Sequence, residues 1–278
     1  MSARTATLPS RADPTSRIKN MDLTDKVAII TGSGGVGCGR AIARRFALEG
    51  CSVVVSDIAE PGGHETVRLI ETERGRAAFI RADMAKESDI KALIEFAEKT
   101  YGGLDVLVNN ASPPYRPQGL LDHWFDALQA DLQGAMHAIL HAVPAMRKRN
   151  GGAIVSMGST SAIGHGLKHS KSPGYDIAKM ALIRLTTTLA PLQASDGIRV
   201  NCLVPAWIAS PEVQSYVDSL TPQQRKEGSV PEVLITLDEI ASAVVHLATD
   251  ESLAGRLMLY FNSQSPRLIP QGDPGFTC

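Results

Sequence analysis

The sequence predicts an α/β protein built on a doubly wound, parallel, seven-stranded sheet with helices on both faces. Three observations carry this. Short apolar runs rich in Val and Ile recur without polar alternation, as strands buried on both faces require. Stretches of helical periodicity separate these runs, so strands and helices alternate along the chain. No composition break divides residues 21–263, which leaves one domain between an N-terminal tail (1–20), expected to be disordered, and a C-terminal tail (264–278).

The first strand is 26–31. It stops at Gly32, and further glycines at 34, 35, 37 and 39 lead into a helix over 40–48, closed by Gly50. Strand, glycine loop and helix form the context in which backbone can approach a pyrophosphate at a helix N-terminus. The second strand, 52–56, ends at Asp57, at the spacing of about 20 residues where a carboxylate accepts from both adenosine ribose hydroxyls and repels a 2′-phosphate. Ile58 follows and no arginine does, so NAD is favoured over NADP.

The pattern then repeats. Residues 63–74 read as a helix, 77–81 as the third strand, leading to Asp83-Met84, and Ser88 caps a helix reaching Tyr101. The fourth strand, 104–108, ends in Asn109-Asn110-Ala111-Ser112. A long helix is expected over 120–149 with a kink at Pro144. Strands at 153–157, 198–204 and 256–261 complete the sheet, with helices at 174–195 and 237–249.

Tyr175 and Lys179, four residues apart, share a helix face. A phenol titrates near ~10. A neighbouring ammonium favours its ionised form, which makes it a usable general acid or base. Alone, the pair is a weak signal that reads more readily as a helix-surface contact; its surroundings carry the argument.

Taken in order, the Thr31-Gly32 loop, Asp57, Asp83, Asn109-Asn110-Ala111, Ser159, Tyr175 with Lys179, Asn201 and Pro205-Ala206 resemble the short-chain dehydrogenase/reductase family, over about residues 22–263. The resemblance implies a Rossmann-type fold, a nicotinamide cofactor and interconversion of a secondary alcohol and a ketone. It implies that the loop with Gly32, Ser33, Gly37, Cys38 and Gly39 holds the pyrophosphate, Asp57 and Ile58 the adenosine ribose, and Asp83 and Met84 the adenine. Asn109, Ala111, Pro205 and Ala206 would complete the cofactor contacts, with the backbone of Ile208 at the nicotinamide carboxamide. Tyr175 would be the general acid/base, Lys179 would hold the nicotinamide ribose, and Ser159 would bond the substrate oxygen. A homotetramer, or a homodimer, is implied through the helices at 120–149 and 174–195.

Several residues depart from the family pattern. Four residues (33–36), in place of three, separate Gly32 from Gly37, and Cys38 replaces an aliphatic residue. Ser112 stands where a glycine is usual. Asp131 occupies the position of an asparagine that holds a water in the proton relay, and it is expected to join the catalytic set and alter the pH profile. The interval from Ser159 to Tyr175, sixteen residues, is long, with the extra residues in 165–171. Ser161 is an alternative hydroxyl; Ser159 is preferred because it aligns from the strand end.

Other features have bland readings beside sharp ones. His137 and His141 have a metal-gripping spacing but no intervening glutamate, so a core or interface pair is preferred and no metal is expected. His165, Lys168, His169 and Lys171 form a solvated loop or greet an anionic substrate; Trp207 and Tyr216 line an apolar pocket or simply pack. A net charge of −1 offers no field for nucleic acid or anionic membrane, and no apolar run approaches the ~18 residues that span a bilayer. The first twenty residues look Arg-rich and acid-poor like an organelle presequence, but Pro9 and Pro14 interrupt any helix. Cysteines at 38, 51, 202 and 278 lack paired spacing, which fits reduced thiols in the cytoplasm. A different class of reading is a low-turnover dinucleotide-binding scaffold or redox sensor; retention of Ser159, Tyr175 and Lys179 together argues against it. An extended epimerase or dehydratase is disfavoured because no substrate domain follows the seventh strand.

Overall fold

The computed structural model describes residues 20–113, 124–163 and 173–272. The expected disordered tail therefore lies outside the described residues except for Asn20, which bridges Asp250. Strands β1 (Val27–Thr31), β2 (Ser52–Asp57), β3 (Arg76–Arg81), β4 (Val106–Asn109), β5 (Gly152–Met157), β6 (Ile198–Pro205) and β7 (Leu257–Tyr260) pair in parallel in the order β3-β2-β1-β4-β5-β6-β7. An eighth strand, β8 (Arg267–Leu268), adds antiparallel to β7, with Leu259 opposite Arg267. The seven expected parallel strands are all present, and β8 extends the sheet at one edge. Two residues are too short to show any periodicity, so β8 left no signature in the sequence.

The apolar runs become strands because both faces of the sheet are covered. In β1, Ala28 and Ile30 point into one core with α1 (Cys38–Leu48) and α10 (Leu237–Thr249). Val27 and Ile29 point into the other, with α3 (Glu87–Tyr101) and α5 (Gly134–Arg147). Phe46, Ile30 and Ile29 are fully buried, and each such side chain contributes roughly 1.5–3 kcal/mol.

Helix ends differ from expectation in three places. α2 spans Glu60–Thr72, beginning before the glycine pair at 62–63, because a proline in its first turn loses no helical hydrogen bond. Ser88 does not cap α3: the capping position is Lys86, and the Ser88 hydroxyl turns to Asp89 Oδ1 at 3.3 Å. The acidic first turn of Glu87 and Asp89 favours this helix start electrostatically instead. The helix expected over 174–195 divides into α6 (Pro173–Thr188) and α7 (Leu192–Asp196), separated at Pro191.

The long helix carries an irregular turn that the sequence did not suggest. α4 (Trp124–Ala127) runs into a π-helical turn, Leu128–Gln133, and then α5, inside which Pro144 sits. Asp131 lies in that turn. Such turns are rare and are frequently found at functional sites.

Candidate active site

Strand order reverses between β1 and β4, so a crevice opens beyond their C-terminal ends. Gly32 turns the chain there with φ +66°, and a Cβ on it would lie 2.6 Å from Ala111 Cα. Only glycine fits. A Cβ on Gly39 would lie 2.1 Å from the Gly32 carbonyl, so the first turn of α1 packs directly on the loop. Thr31 Oγ1 accepts from the N–H groups of Asn110 and Ala111, each at 3.0 Å, and donates to Val108 O at 3.2 Å. Asn110 Nδ2 donates to Thr31 O at 2.9 Å and Gly32 O at 3.2 Å. Thr31 and Asn110, neither of them a predicted cofactor contact, thus clamp the loop to β4. No side chain caps α1, whose first turn starts at Cys38 after Gly37 and carries no acid. Its N-terminal N–H groups favour an anion.

Ser33 lies beneath this loop. It is fully buried, its N–H donates to Ser56 O at 3.0 Å and its hydroxyl to Ile30 O at 2.7 Å, and its Oγ accepts from Ser56 N–H. Its carbonyl accepts from Thr66 Oγ1 at 2.8 Å. These bonds commit both Ser33 donors inward, so it braces the loop from beneath.

The extra loop residue reaches β2. Gly34 N–H donates to Asp57 Oδ2 at 2.8 Å, and Ala59 N–H donates to Oδ1 at 3.0 Å. Arg40 holds this arrangement from behind, donating to Gly34 O, Gly62 O and Thr66 Oγ1. Each Asp57 oxygen keeps a further lone pair for a hydroxyl. Ile58 beside it is 55% exposed. Asp83 accepts from Ala85 N–H at 3.0 Å and pairs with Lys86, while Met84 is buried against the crevice.

The crevice wall includes Thr31, Met84, Asn109, Ala111, Asp131 and Lys179. Lys179 Nζ is 3.3 Å from Asp131 Oδ2, with side chains 4% and 0% exposed. The ammonium also sits 5.2 Å from the centre of the Tyr175 ring, within cation–π range. Burial pulls the Lys179 value down, but the Asp131 carboxylate, Tyr175 and the hydrogen bond to Asp131 outweigh it, and the net shift is upward. Ser112 Oγ donates to the same Asp131 oxygen at 3.1 Å. Two departures from the family pattern, Ser112 and Asp131, therefore meet in one contact. Asp131 Oδ1 and Asn109 Oδ1 are buried without a hydrogen-bond partner among the described residues. Uncommitted buried acceptors, a buried cation and an uncapped helix start fit a dinucleotide carrying hydroxyls and a pyrophosphate.

Ser159 follows β5. Its Oγ lies 2.9 Å from Ser161 Oγ and accepts from Ser161 N–H at 3.3 Å; Ser161 Oγ donates to Asp176 Oδ1 at 2.9 Å. Asp176 adjoins Tyr175 on α6, so the serine segment and the tyrosine helix are tied together. After β6, Ala206 N–H donates to Tyr260 O, Trp207 exchanges bonds with Asn262, and Ile208 bridges Ile235. This lashes 205–208, with Pro205 opposite Tyr260, at the same sheet edge.

The bland readings divide. His137 and His141 both approach Glu87, at 3.7 and 3.0 Å, and no group of residues able to hold a metal occurs among those described. Trp207 and Tyr216 stack at 6.4 Å. His165, Lys168, His169 and Lys171 lie outside the described residues, as do Cys278 and the start of the expected 120–149 helix. No helix among the described residues is long and apolar enough to cross a membrane.

The family described as Enoyl-(Acyl carrier protein) reductase matches residues 34–254. The chain is 32% identical over 231 residues to cis-4-hydroxycyclohexanecarboxylate dehydrogenase of Sinomonas cyclohexanicum, covering 81% of this chain and 90% of that one. It is 31% identical over 282 residues to xanthoxin dehydrogenase of Arabidopsis thaliana, covering 95% and 93%. Among solved structures, hydroxysteroid dehydrogenase from Escherichia coli superposes with a TM-score of 0.72 at 29% identity, covering 86% of this chain and 95% of that one. On its motifs, its sheet order and these likenesses, the chain belongs to the short-chain dehydrogenase/reductase family.

Proposed function

We propose that this protein is an NAD-dependent oxidoreductase that interconverts a secondary alcohol and a ketone, with Tyr175 as general acid/base. The observation that carries the proposal is the buried Lys179 ammonium, held between the Asp131 carboxylate and the Tyr175 ring. Asp131 keeps the ammonium charged in the buried site, and a cation beside a phenol favours proton transfer at that phenol.

In this reading NAD supplies the hydride acceptor, and the chain supplies everything else. Gly32, Gly37, Cys38 and Gly39 bind the pyrophosphate through backbone N–H groups, and Asp57 with Ile58 binds the adenosine ribose and disfavours a 2′-phosphate. Asp83 and Met84 border the adenine; Asn109, Ala111, Pro205, Ala206 and Ile208 line the remainder. Lys179 binds the second ribose while its charge favours proton removal by Tyr175. Ser159 orients the substrate oxygen. Asp131 holds Lys179 in its charged form and takes the place of a water-binding amide.

The relatives named above act, by their names, on hydroxylated ring compounds or on xanthoxin, which suggests cyclic secondary alcohols as first substrates to try. Exposed Met136, Leu140 and Ile177 on α5 and α6 support a homotetramer or homodimer, and the scattered cysteines support a cytoplasmic setting. The test is a panel of such alcohols with NAD and NADP separately, followed at the NADH absorbance. NAD-linked turnover supports the proposal; saturable NAD binding without turnover of any alcohol or ketone rejects it for a binding scaffold.

A further inference from the structure

The hydrogen-bond chain from Ser159 has a definite direction. An ionised carboxylate accepts only, so the single hydroxyl proton of Ser161 goes to Asp176 Oδ1. Ser161 Oγ can then serve Ser159 only as an acceptor, and the 2.9 Å contact between the two hydroxyls must use the proton of Ser159. The N–H of Ser161 points at Ser159 Oγ from the same side. What Ser159 Oγ keeps uncommitted is a lone pair.

We propose that Asp176 is a positioning residue which, through Ser161, commits the Ser159 proton inward and so selects the alcohol over the ketone at the substrate oxygen. This rests on the reading of Ser159 as the group that orients substrate. An alcohol brings its own proton and can donate to the uncommitted lone pair. A ketone only accepts, so it must first break the Ser159–Ser161 bond to gain a donor. The preference lies in binding, and the chemical step is the same in both directions.

Two substitutions release the proton by different routes. Asp176→Ala removes the terminal acceptor, letting Ser161 donate back to Ser159. Ser161→Ala removes the acceptor that Ser159 uses. Both are compared with the wild type by equilibrium fluorescence titration of non-reacting ternary complexes, cyclohexanone with NAD and cyclohexanol with NADH. Release of one hydrogen bond is expected to tighten cyclohexanone by about fivefold in both variants and to leave cyclohexanol within about twofold. A purely structural role for Asp176 would weaken both ligands together. Parallel shifts of the two ligands in either variant, or affinities that do not respond, overturn the proposal. Neither result depends on turnover, so failure here leaves the role of Tyr175 standing, and failure of that role is read separately from Tyr175→Phe kinetics.

Discussion

Asp131 Oδ2 lies 3.3 Å from Lys179 Nζ, and neither side chain is more than 4% exposed. A carboxylate and an ammonium taken this far out of water stand or fall together, because removal of one leaves a buried charge without compensation. Asp131→Leu is expected to cost roughly 3–5 kcal/mol of stability, measured by urea unfolding, whereas Asp131→Asn keeps an acceptor for Lys179 and Ser112 and loses less.

The same contact sets a pH dependence. Burial alone would lower the Lys179 value, and Asp131 and Tyr175 turn the net shift upward. In Asp131→Asn the burial effect gains weight, so Lys179 gives up its proton at lower pH than in the wild type. Turnover is expected to persist, with the alkaline side of its pH–rate profile moved toward neutrality. An unaltered profile would make Asp131 a bystander.

Linkage gives a second pH test. A lysine whose folded value is raised contributes stability that is fully present below its unfolded value, near ~10.4, and is lost as pH rises through the folded one. The difference in unfolding free energy between wild type and Lys179→Met should therefore stay level through neutral pH and decline only in alkali above about pH 10. A decline already at neutral pH would contradict the upward shift.

Asp57 receives the N–H groups of Gly34 and Ala59, which hold its carboxylate at the end of β2. Asp57→Ala is expected to weaken NAD by about tenfold, as loss of charge-assisted hydrogen bonds does, and to narrow the gap between NAD and NADP. Fluorescence titration with each nucleotide checks this; an unchanged ratio would remove Asp57 from cofactor selection.

Gly39 gives a steric prediction. Its missing Cβ is the space taken by the Gly32 carbonyl, so Gly39→Ala must push α1 off the loop. Loss of nucleotide binding should exceed the loss in thermal stability. Normal NAD affinity in a folded variant would mean that the loop does not form the pyrophosphate site.

Most of the framework was legible because its signals are periodic or punctuated. Buried Val and Ile runs announced β1, β2 and β4, and glycines at 32 and 39 marked places where backbone passes too closely for any side chain. Signals failed where an element was too short or a contact too distant. β8 has two residues, and the π-helical turn at Leu128–Gln133 has no propensity signature, so the only irregularity expected in that helix was a kink at Pro144. Ser33 sits among glycines and reads as a loop donor, yet its bonds run inward to β2. Ser112 and Asp131 stood out singly as departures, but 19 positions apart along the chain nothing announced their 3.1 Å bond. Asp176 left no signal at all; its role comes from the packing of α6 on the segment after β5.

The most direct test is Tyr175→Phe, which removes one oxygen and keeps the ring beside Lys179. Steady-state turnover and NAD affinity are measured on the same preparation. Turnover should fall by a factor of about 10²–10⁴, the usual worth of a positioned acid or base, with NAD binding nearly intact. Turnover at the wild-type level would contradict the account.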